Sequence, residues 1–396
     1  MKILVVSQHY WPEPFPATDL CEGLAARGHE VHVLTDIPNY PMGYIYPEYK
    51  GRKGRIEERN GVKIFRSFTI GRRNNILFRM LNYYSFSLSS SAYTRKLDRD
   101  YDAIFSMQSS PVMMVKAAVR HAKRCKQKVL YYVMDLWPAS LAAGGVSESS
   151  PIYKLFNSVS RRLYRKADRL LITSGMFRDY LRDNFQIPDE NIGYLPQYAS
   201  GQFDKLPEAA PKDTVDLMFA GNVGAAQSLT TVLEAAERLR DHSQLRWHIV
   251  GDGSELEKLK AMAGEKGLSQ VIFHGRKPPE EMPQYYAKAD AMLVTLTDDP
   301  FIGMTLPAKV QSYMAAGKPV LAAANGEIPQ VLRAANCGYC APAGDAKAFA
   351  DAVEQFLNCS DPAALGKNAR TYYENHFTKA KFMNTLEQEL TSLAHK

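Results

Sequence analysis

The stretch from Phe301 to Val320, FIGMTLPAKVQSYMAAGKPV, combines residue types that suit an anion-binding site. Pro307 suits the first turn of a helix, where N–H groups lack partners and the helix dipole favours negative charge. Lys309 lies in the same turn, where a cation is unfavourable unless an anion is bound. We therefore predict a diphosphate site, with a solvated surface lysine as the alternative. The predicted contacts are Gly303, Met304, Thr305, Leu306 and Lys309.

Glycine-containing loops follow three other apolar runs in this half of the chain. They are Gly221-Asn222-Val223-Gly224, Gly251-Asp252-Gly253 and Gly275-Arg276-Lys277. Ligands of open α/β sheets bind beyond the carboxyl ends of the strands, and glycine allows close approach to the backbone. The recurrence adds Gly221, Asn222, Gly251 and Arg276 to the predicted site, although glycine also commonly just ends a strand. None of the loops is a G-x-G-x-x-G motif or a P-loop.

No residue pattern predicts a metal or another cofactor. Cys337 and Cys340 have the spacing of a zinc or redox pair, but no second pair completes a tetrahedral set. Asp298 and Asp299 are adjacent, so their side chains would diverge in an extended segment. The five cysteines are too few and too scattered for a disulfide framework.

The charge of the chain is unevenly distributed. Residues 1–206 hold 30 Lys and Arg against 19 Asp and Glu, and residues 50–99 hold 13 against 3. In that segment Arg72, Arg73 and Arg79 are interleaved with apolar and aromatic residues, among them Leu77, Phe78 and Phe86. This pattern predicts docking on an anionic membrane surface, with a solvated basic face as the alternative. No nucleic-acid motif accompanies it, so we expect no nucleic-acid partner.

Short apolar runs alternate with helical segments along both halves. The first half has KILVVS, HEVHVLTD, AIFSMQ, KVLYYVMD and RLLITS, and the second has VDLMFAG, LRWHIVG, QVIFHG, AMLVTL and KPVLAAA. Such alternation predicts two doubly wound, parallel-sheet α/β domains. We place them at residues 1–200 and 201–373, joined by an irregular linker at 186–215. A single final helix, from about 374 to 396, is expected to cross back onto the first domain.

The location of the protein follows from its apolar runs. None reaches the ~20 residues that a membrane span needs, and the N-terminal run is too short for a signal peptide. We expect a cytoplasmic protein, peripheral at the inner face of the plasma membrane.

Six segments together resemble a known family: KILVVSQHYWPEP, YVMDLWP, FAGNVGAAQSL, HIVGDG, PAKVQSYMAAGKPV and NGEIPQVL. Over nearly the whole chain the sequence resembles the family-four (GT4) retaining glycosyltransferases of the GT-B fold. It is most similar to the bacterial capsule, O-antigen and exopolysaccharide branch, which includes N-acetyl-fucosaminyl transferases. The resemblance implies two Rossmann-like domains facing a cleft. The C-terminal domain would bind a nucleotide-sugar donor, with a UDP-sugar favoured, and the N-terminal domain a lipid-linked or other glycan acceptor.

The resemblance also implies where this sequence departs from the family. Two family glutamates fall on Met304 and Ser312, and the usual Arg and Lys fall on Asn222 and Gln227. The phosphate charge would then rest on Lys309, with Arg276 as a second candidate, and Ser312 would replace the ribose-binding glutamate.

On the acceptor side, the family's glycine-rich first loop has become Pro14-Phe15-Pro16-Ala17. Met134 replaces a common histidine beside Asp135. Predicted acceptor contacts are Pro14, Phe15, Ala17, Asp135 and Trp137.

The resemblance implies transfer of a hexose or an N-acetylated amino sugar with retention and without a protein nucleophile. Lys309 would stabilise the leaving diphosphate, and Asp135 would orient or deprotonate the acceptor, although Asp135 could instead cap a helix. Two other functions are open. A nucleotide-sugar 2-epimerase of the same shape would need no acceptor, and a catalytically silent assembly partner would fit the missing glutamates.

Overall fold

The computed structural model describes residues 1–73 and 75–394, apart from the side chains of Arg52 and Ile76. Within these residues the chain forms two compact α/β units. The first comprises Met1–Thr173, Phe177–Leu195 and the end of the chain from Met383, and the second comprises Ser174–Met176 and Pro196–Phe382.

The first unit is built on a sheet of eight described strands. They are β1 (Lys2–Val6), β2 (Glu30–Thr35), β3 (Ile56–Arg59), β4 (Val62–Arg66), β5 (Ala103–Gln108), β6 (Val129–Val133), β7 (Arg169–Ile172) and β8 (Ile192–Tyr194). Their order is β3-β4-β2-β1-β5-β6-β7-β8. All neighbours are parallel except the edge pair β3–β4. Val5 of the central strand faces Val33 on one side and Phe105 on the other. The central strands β1, β5 and β6 are mostly apolar and buried, as expected where helices cover both faces of a sheet.

The helices of the first unit follow the strands in alternation. They are α1 (Pro16–Ala26), α2 (Ile76–Tyr93), α3 (Lys116–Cys125), α4 (Ala139–Ala143), α5 (Pro151–Tyr164) and α6 (Phe177–Phe185). Local sequence sets their starts. Asn75 caps α2 by accepting the amide of Phe78, and Ser150 caps α5 in the same way before a proline. No described helix is long and apolar enough to cross a membrane.

The second unit has a wholly parallel sheet of six described strands. They are β9 (Val215–Ala220), β10 (Leu245–Val250), β11 (Val271–Gly275), β12 (Ala291–Thr295), β13 (Val320–Ala323) and β14 (Gly338–Ala341), in the order β11-β10-β9-β12-β13-β14. Two apolar clusters cover its faces, one around Trp247 and Phe349 and the other around Met292 and Tyr313. The central strand β9 is therefore fixed from both sides.

The remaining helices belong to the second unit or end the chain. They are α7 (Leu229–Arg238), α8 (Leu256–Glu265), α9 (Met282–Lys288), α10 (Pro300–Gly303), α11 (Ala308–Ala315), α12 (Glu327–Ala335), α13 (Ala346–Leu357), α14 (Pro362–His376) and α15 (Lys379–Ala394). From Met383 onward α15 belongs to the first unit, where Glu387 pairs with His29 and Glu389 with Arg169.

The predicted α/β class is confirmed, and several details differ. The final segment is two helices, because α14 ends at His376 and α15 begins at Lys379. The last two residues of the predicted helix lie outside the described residues. The expected linker contains strand β8. The sequence analysis also missed β3, β4 and β14, which are short and carry charged or small residues.

Candidate functional site

The carboxyl ends of β9 and β10 meet backbone to backbone in the second unit. Gly251 has a φ of 149°, and a Cβ there would lie 1.8 Å from the carbonyl oxygen of Gly221. The amide of Gly221 donates to the Val250 carbonyl, and that of Val223 to the Asp252 carbonyl, both at 2.9 Å. A side chain at Gly251 would push these loops apart, and Gly221 has a φ of 141°, so both positions require glycine.

Helix α11 is fixed to the same strand ends by Tyr313. Its buried hydroxyl donates to the carbonyl of Ala220 and accepts from the amide of Ala220, both at 3.0 Å. Pro307 is the residue that precedes the helix, and Ala308 is its first member. Lys309 therefore lies in the first helical turn, beside the glycine loop that follows β9.

The Lys309 ammonium is enclosed by uncharged groups. Its Nζ lies 3.9 Å from the centre of the Phe219 ring and donates to Oε1 of Gln227 at 2.6 Å. A Cβ added at Gly221 would lie only 3.1 Å from Nζ, so that glycine makes room for the lysine. The side chain keeps some exposed surface, but burial of the amine lowers the pKa of Lys309 to about 7. An anion at this point would supply the missing counter-charge.

The segment before α11 differs from its prediction. Asp299 caps the short helix α10, and its carbonyl accepts the Gly303 amide at 2.9 Å. The amides of Met304 and Thr305 both donate to the carbonyl of Ile302. The expectation that these three amides are free to face an anion is therefore wrong, because the residues form a closed helical turn instead of an open loop.

The other predicted donor contacts are distributed around this site. Leu306 is buried in the core, and the hydroxyl of Ser312 donates to the carbonyl of Ala308 within its own helix. Asn222 and Arg276 are exposed, each in a loop after a strand. Of the predicted donor residues, the structure brings Gly221, Gly251 and Lys309 together most directly.

Glu327 is a buried residue that the sequence analysis did not select. It begins helix α12, and its carboxylate accepts the amides of Gly175 at 2.9 Å and Met176 at 3.1 Å. The neighbouring Ser174 donates to the carbonyl of Met304. These contacts attach the segment 174–176 to the second unit. The motif NGEIPQVL contains this glutamate, but no local pattern reveals a partner some 150 residues away.

In the first unit, Asp135 follows β6 and is held by serines. Ser110 donates its hydroxyl to the Asp135 carboxylate, and the indole of Trp137 donates to the Ser110 hydroxyl at 2.7 Å. Burial raises the pKa of Asp135, while hydrogen bonds from Ser110 and Ser140 oppose that shift. A carboxylate with a raised pKa is a better proton acceptor, and the role of Asp135 toward an acceptor stays a prediction.

The predicted acceptor residues differ in their access to solvent. Pro14 is exposed and Phe15 is half-buried. Ala17 is buried in α1, so its side chain offers no surface to an acceptor, and its predicted contact could come only from its backbone. Trp137 is also buried and packs edge-on against Phe156, so it positions Ser110 and Asp135 and offers little surface of its own.

The loop before α1 contains a buried His9–Glu13 pair that the sequence analysis missed. Glu13 accepts the amides of Asn39 and Tyr40 at 2.6 Å and contacts Nδ1 of His9 at 2.7 Å. A carboxylate only accepts, so Nδ1 carries the hydrogen in that contact. The ring of His9 stacks on Phe15 at 4.4 Å. This pair fixes the loop that carries the predicted acceptor contacts.

Asp36 completes a cluster whose donor atoms lie within 4.8 Å of one another, close enough for a metal ion. Glu13, however, already accepts three N–H groups, and Asp36 accepts the side-chain amide of Asn39 at 3.1 Å. Burial and the neighbouring Glu13 raise the pKa of Asp36 well above its usual range. The arrangement therefore fits a hydrogen-bonded cluster that shares protons better than a cation site.

Helix α2 exposes an apolar stripe. Its exposed side chains recur at helical spacing, with Leu77 65% exposed and Leu88 67% exposed. The stripe is Leu77, Leu81, Tyr84 and Leu88. Phe86, which the sequence analysis counted in this surface, is fully buried on the opposite side of the helix.

The three arginines predicted to face a membrane lie near the start of this stripe. Arg72 stacks near Tyr40 and Tyr83, whereas Arg73 lies over the ring of Phe78. Arg79 is exposed on α2 itself. No Asp or Glu occurs between Glu58 and Asp98, so this segment itself contributes only positive charge.

Comparisons with known proteins agree with this architecture. Residues 17–197 match the glycosyl transferase 4-like domain, and residues 202–372 match glycosyl transferases group 1. The chain is 27% identical over 339 residues to the glycosyl transferase WcaI of Escherichia coli strain K12, which is named for colanic acid biosynthesis. That alignment covers 80% of this chain and 82% of WcaI.

Solved structures show the same fold at low identity. Sucrose-phosphate synthase from Thermosynechococcus elongatus superposes with a TM-score of 0.76 at 18% identity and covers 99% of both chains. HepE of Anabaena in complex with UDP gives a TM-score of 0.74 at 15% identity over 99% of this chain and 100% of that one. The chain belongs to the GT4 glycosyltransferases of the GT-B fold.

Proposed function

We propose that this glycosyltransferase transfers a sugar, with retention, from a nucleotide-sugar donor to a lipid-linked glycan acceptor in bacterial surface polysaccharide synthesis. The enclosed Lys309 ammonium supports the donor half of the proposal, because the described residues around it provide a cation and no acidic partner. The similarity to WcaI supports the pathway, and the UDP complex of HepE supports a UDP-sugar.

The reaction follows from the charge that develops on the leaving group. The acceptor oxygen bonds to the anomeric carbon, the bond from that carbon to the diphosphate oxygen breaks, and the hydroxyl proton passes to the diphosphate. Lys309 and the first-turn amides of α11 would stabilise the departing charge. Asp135, held by Ser110, would orient the acceptor hydroxyl.

A screen of donors tests this function directly. Thermal-shift measurements with UDP-, GDP- and dTDP-sugars should find one nucleotide that stabilises the chain, and a lipid-linked acceptor should then gain the mass of one sugar. Isomerisation of the donor without a change in mass would indicate a 2-epimerase. Failure to bind any nucleotide would indicate a silent assembly partner.

We expect transfer to proceed without a metal, because Lys309 supplies the charge that a divalent cation supplies elsewhere. Treatment with EDTA should change the rate of sugar transfer less than twofold. The matched control is the same protein with Mg²⁺ or Mn²⁺ added back. Loss of activity with EDTA that either ion restores would show that the diphosphate needs a metal.

We also propose that the protein acts at the inner face of the membrane through the stripe of α2 and its arginines. Exposure of these leucines to water is unfavourable. On a membrane they would insert at the boundary between the lipid headgroups and the acyl chains. The neighbouring arginines suit anionic lipids.

Replacement of Arg72, Arg73 and Arg79 by Gln should abolish sedimentation with anionic liposomes. Each basic residue near the surface contributes about 1 kcal/mol, which salt weakens. The control changes Lys123, Lys126 and Lys128, exposed elsewhere on this unit, to Gln and should still sediment. Donor binding should survive in both variants. A wild type that ignores anionic liposomes at low salt would favour the solvated-face interpretation.

A further inference from the structure

Gln227 is the one described residue that accepts a hydrogen bond from the Lys309 amine, through Oε1 at 2.6 Å. An ammonium group can only donate, so the carboxamide must direct its oxygen towards Lys309 and its NH2 group away from it. No group among the described residues accepts from that NH2 group, and its nitrogen is not one of the buried atoms that lack a partner. Gln227 therefore combines an occupied oxygen with N–H donors that are open to a ligand.

The backbone of Gln227 is fixed by the strand next to it. Its amide donates to the carbonyl of Gly224 at 2.9 Å. Its carbonyl accepts the hydroxyl of Thr295, a fully buried residue at the end of β12. The carbonyl of the preceding Ala226 accepts the amide of Thr297 at 3.1 Å. The turn that carries Gln227 is therefore attached to the carboxyl end of β12, and its side chain starts from a defined place.

The surroundings of the amine explain why a neutral carboxamide suits this position. Lys309 also lies over the ring of Phe219, and burial alone lowers its pKa, without a contribution from any acidic group. A carboxylate in place of Gln227 would neutralise the amine and repel a diphosphate. An apolar side chain would leave the buried amine without an acceptor. The carboxamide satisfies the amine and leaves its positive charge available to an anion.

Gln227 and Lys309 lie at the same edge of the second sheet. Gln227 directly precedes Ser228, the N-cap of α7, and Lys309 lies in the first turn of α11. Both helix N-termini favour negative charge. Linked hydrogen bonds polarise one another, so the NH2 group becomes a stronger donor when the oxygen of the same amide accepts from a cation. An anion that pairs with Lys309 thus has a second, polarised donor available from Gln227.

We propose that Gln227 is a positioning and binding residue of the donor site: its Oε1 holds the Lys309 amine, and its Nε2–H group donates to the leaving diphosphate. This proposal rests on the donor half of the proposed function and names the group that prepares Lys309 for it. The ligand class is a nucleoside diphosphate, because both contacts address the diphosphate. No bond or proton changes place at Gln227, so it contributes to affinity and to the charge of Lys309.

Calorimetry with UDP, and with inorganic diphosphate as a probe that lacks the base, tests the proposal. Gln227→Glu should weaken binding of both at pH 7 at least tenfold, because the new carboxylate pairs with the cation and repels the anion. The same substitution gives the buried amine a counter-charge, so the melting temperature of the free protein should not fall. Gln227→Met should weaken binding about tenfold, the effect of losing one or two hydrogen bonds. The control Gln244→Glu adds the same charge at an exposed site before β10 and should bind within twofold of wild type.

The pH profile of binding separates positioning from a merely structural role. In wild type the affinity for UDP should fall above about pH 7, where the Lys309 amine loses its proton. The carboxylate of Gln227→Glu would raise the pKa of Lys309, so this fall should move to higher pH. Equal affinity of wild type and Gln227→Glu, or a profile that does not move, would overturn the proposal.

A measurement on the wild type distinguishes the two possible failures. If wild type binds neither UDP nor inorganic diphosphate, the donor half of the proposed function fails, and the role of Gln227 fails with it. If wild type binds both and the two Gln227 variants bind equally well, only the role of Gln227 fails and the donor site stands.

Discussion

Replacement of Lys309 by Met should lower the rate of sugar transfer about 30- to 1000-fold and raise the melting temperature at neutral pH. Loss of a charge-assisted contact to the leaving diphosphate costs about 2–4 kcal/mol in the transition state, and each 1.36 kcal/mol is tenfold in rate. The gain in stability has a separate cause. Burial disfavours the charged amine in the free protein, and Met fills the same space against Phe219 without that penalty.

The pH dependence distinguishes this explanation from simple repacking. The pKa of Lys309 is lowered to about 7 in the folded chain, against about 10.4 in an unfolded one. Between these values the unfolded chain holds a proton that the folded chain has lost, so stability rises with pH in that window. The penalty is complete below about pH 7. The stability gained by Lys309→Met should therefore be largest below pH 7 and vanish towards pH 10.

The affinity for the donor nucleotide should also depend on the protonation of Lys309. Above pH 7 the amine must take up a proton to pair with a diphosphate, so affinity for UDP should fall as pH rises, and calorimetry in buffers of different ionisation enthalpy should detect the uptake. Lys318→Met is the matched control. That lysine donates to the carbonyls of Ala287 and Ala289, so its loss should lower the melting temperature. Near-normal turnover of folded Lys309→Met would remove Lys309 from the mechanism.

The sequence was most informative where chemistry and structure are local. The apolar runs predicted the central strands, and the Pro307–Lys309 spacing placed a lysine in a first helical turn. The strands that it missed lie at or next to the edge of a sheet. They lack a continuous apolar run, as in Ile56–Arg59, where charged residues make up most of the strand. Burial on both faces, which produces such runs, is weakest at the edges of a sheet.

The details of the site depended on contacts that no spacing encodes. Gln227 is the hydrogen-bond partner of Lys309 across 82 residues, and Glu13 accepts the amide of Asn39 across 26. The amides of Gly303 and Thr305 are hydrogen-bonded within a helical turn because Asp299 caps a short helix. The residue types in this segment would allow an open loop equally well. Sequence reasoning therefore located the lysine but could not give its surroundings.

The buried cluster of the acceptor loop supplies the second large effect, since Glu13→Leu should destabilise the protein by roughly 3–5 kcal/mol. The substitution leaves the amides of Asn39 and Tyr40 and the His9 Nδ1–H without acceptors in a buried site. Each unsatisfied donor costs about 1–3 kcal/mol. Urea denaturation at pH 7 measures the loss of unfolding free energy directly.

The neighbouring carboxyl group, that of Asp36, should respond to substitution in the opposite way to Glu13, because its ionisation destabilises the folded chain. Burial and the charge of Glu13 raise the pKa of Asp36, so the folded chain retains a proton there that the unfolded chain releases above about pH 4. That contribution to stability is present at low pH and is lost as pH rises towards the raised pKa. Asp36→Asn keeps an acceptor for Asn39 and never carries the charge. Its stability should lie within about 1 kcal/mol of wild type below about pH 4, where Asp36 is protonated in both the folded and the unfolded chain and one neutral acceptor replaces another.

The difference between Asp36→Asn and wild type should then grow in favour of the variant as pH rises from about 4 towards the raised pKa of Asp36. Urea denaturation at several pH values measures it, with Glu13→Leu as the contrasting variant whose loss persists at every pH. A pH-independent loss in Asp36→Asn as large as that of Glu13→Leu would show that Asp36 is needed as a charged group. The cluster would then have to be reconsidered as a site for a cation, because only a bound positive charge would stabilise two carboxylates so close together.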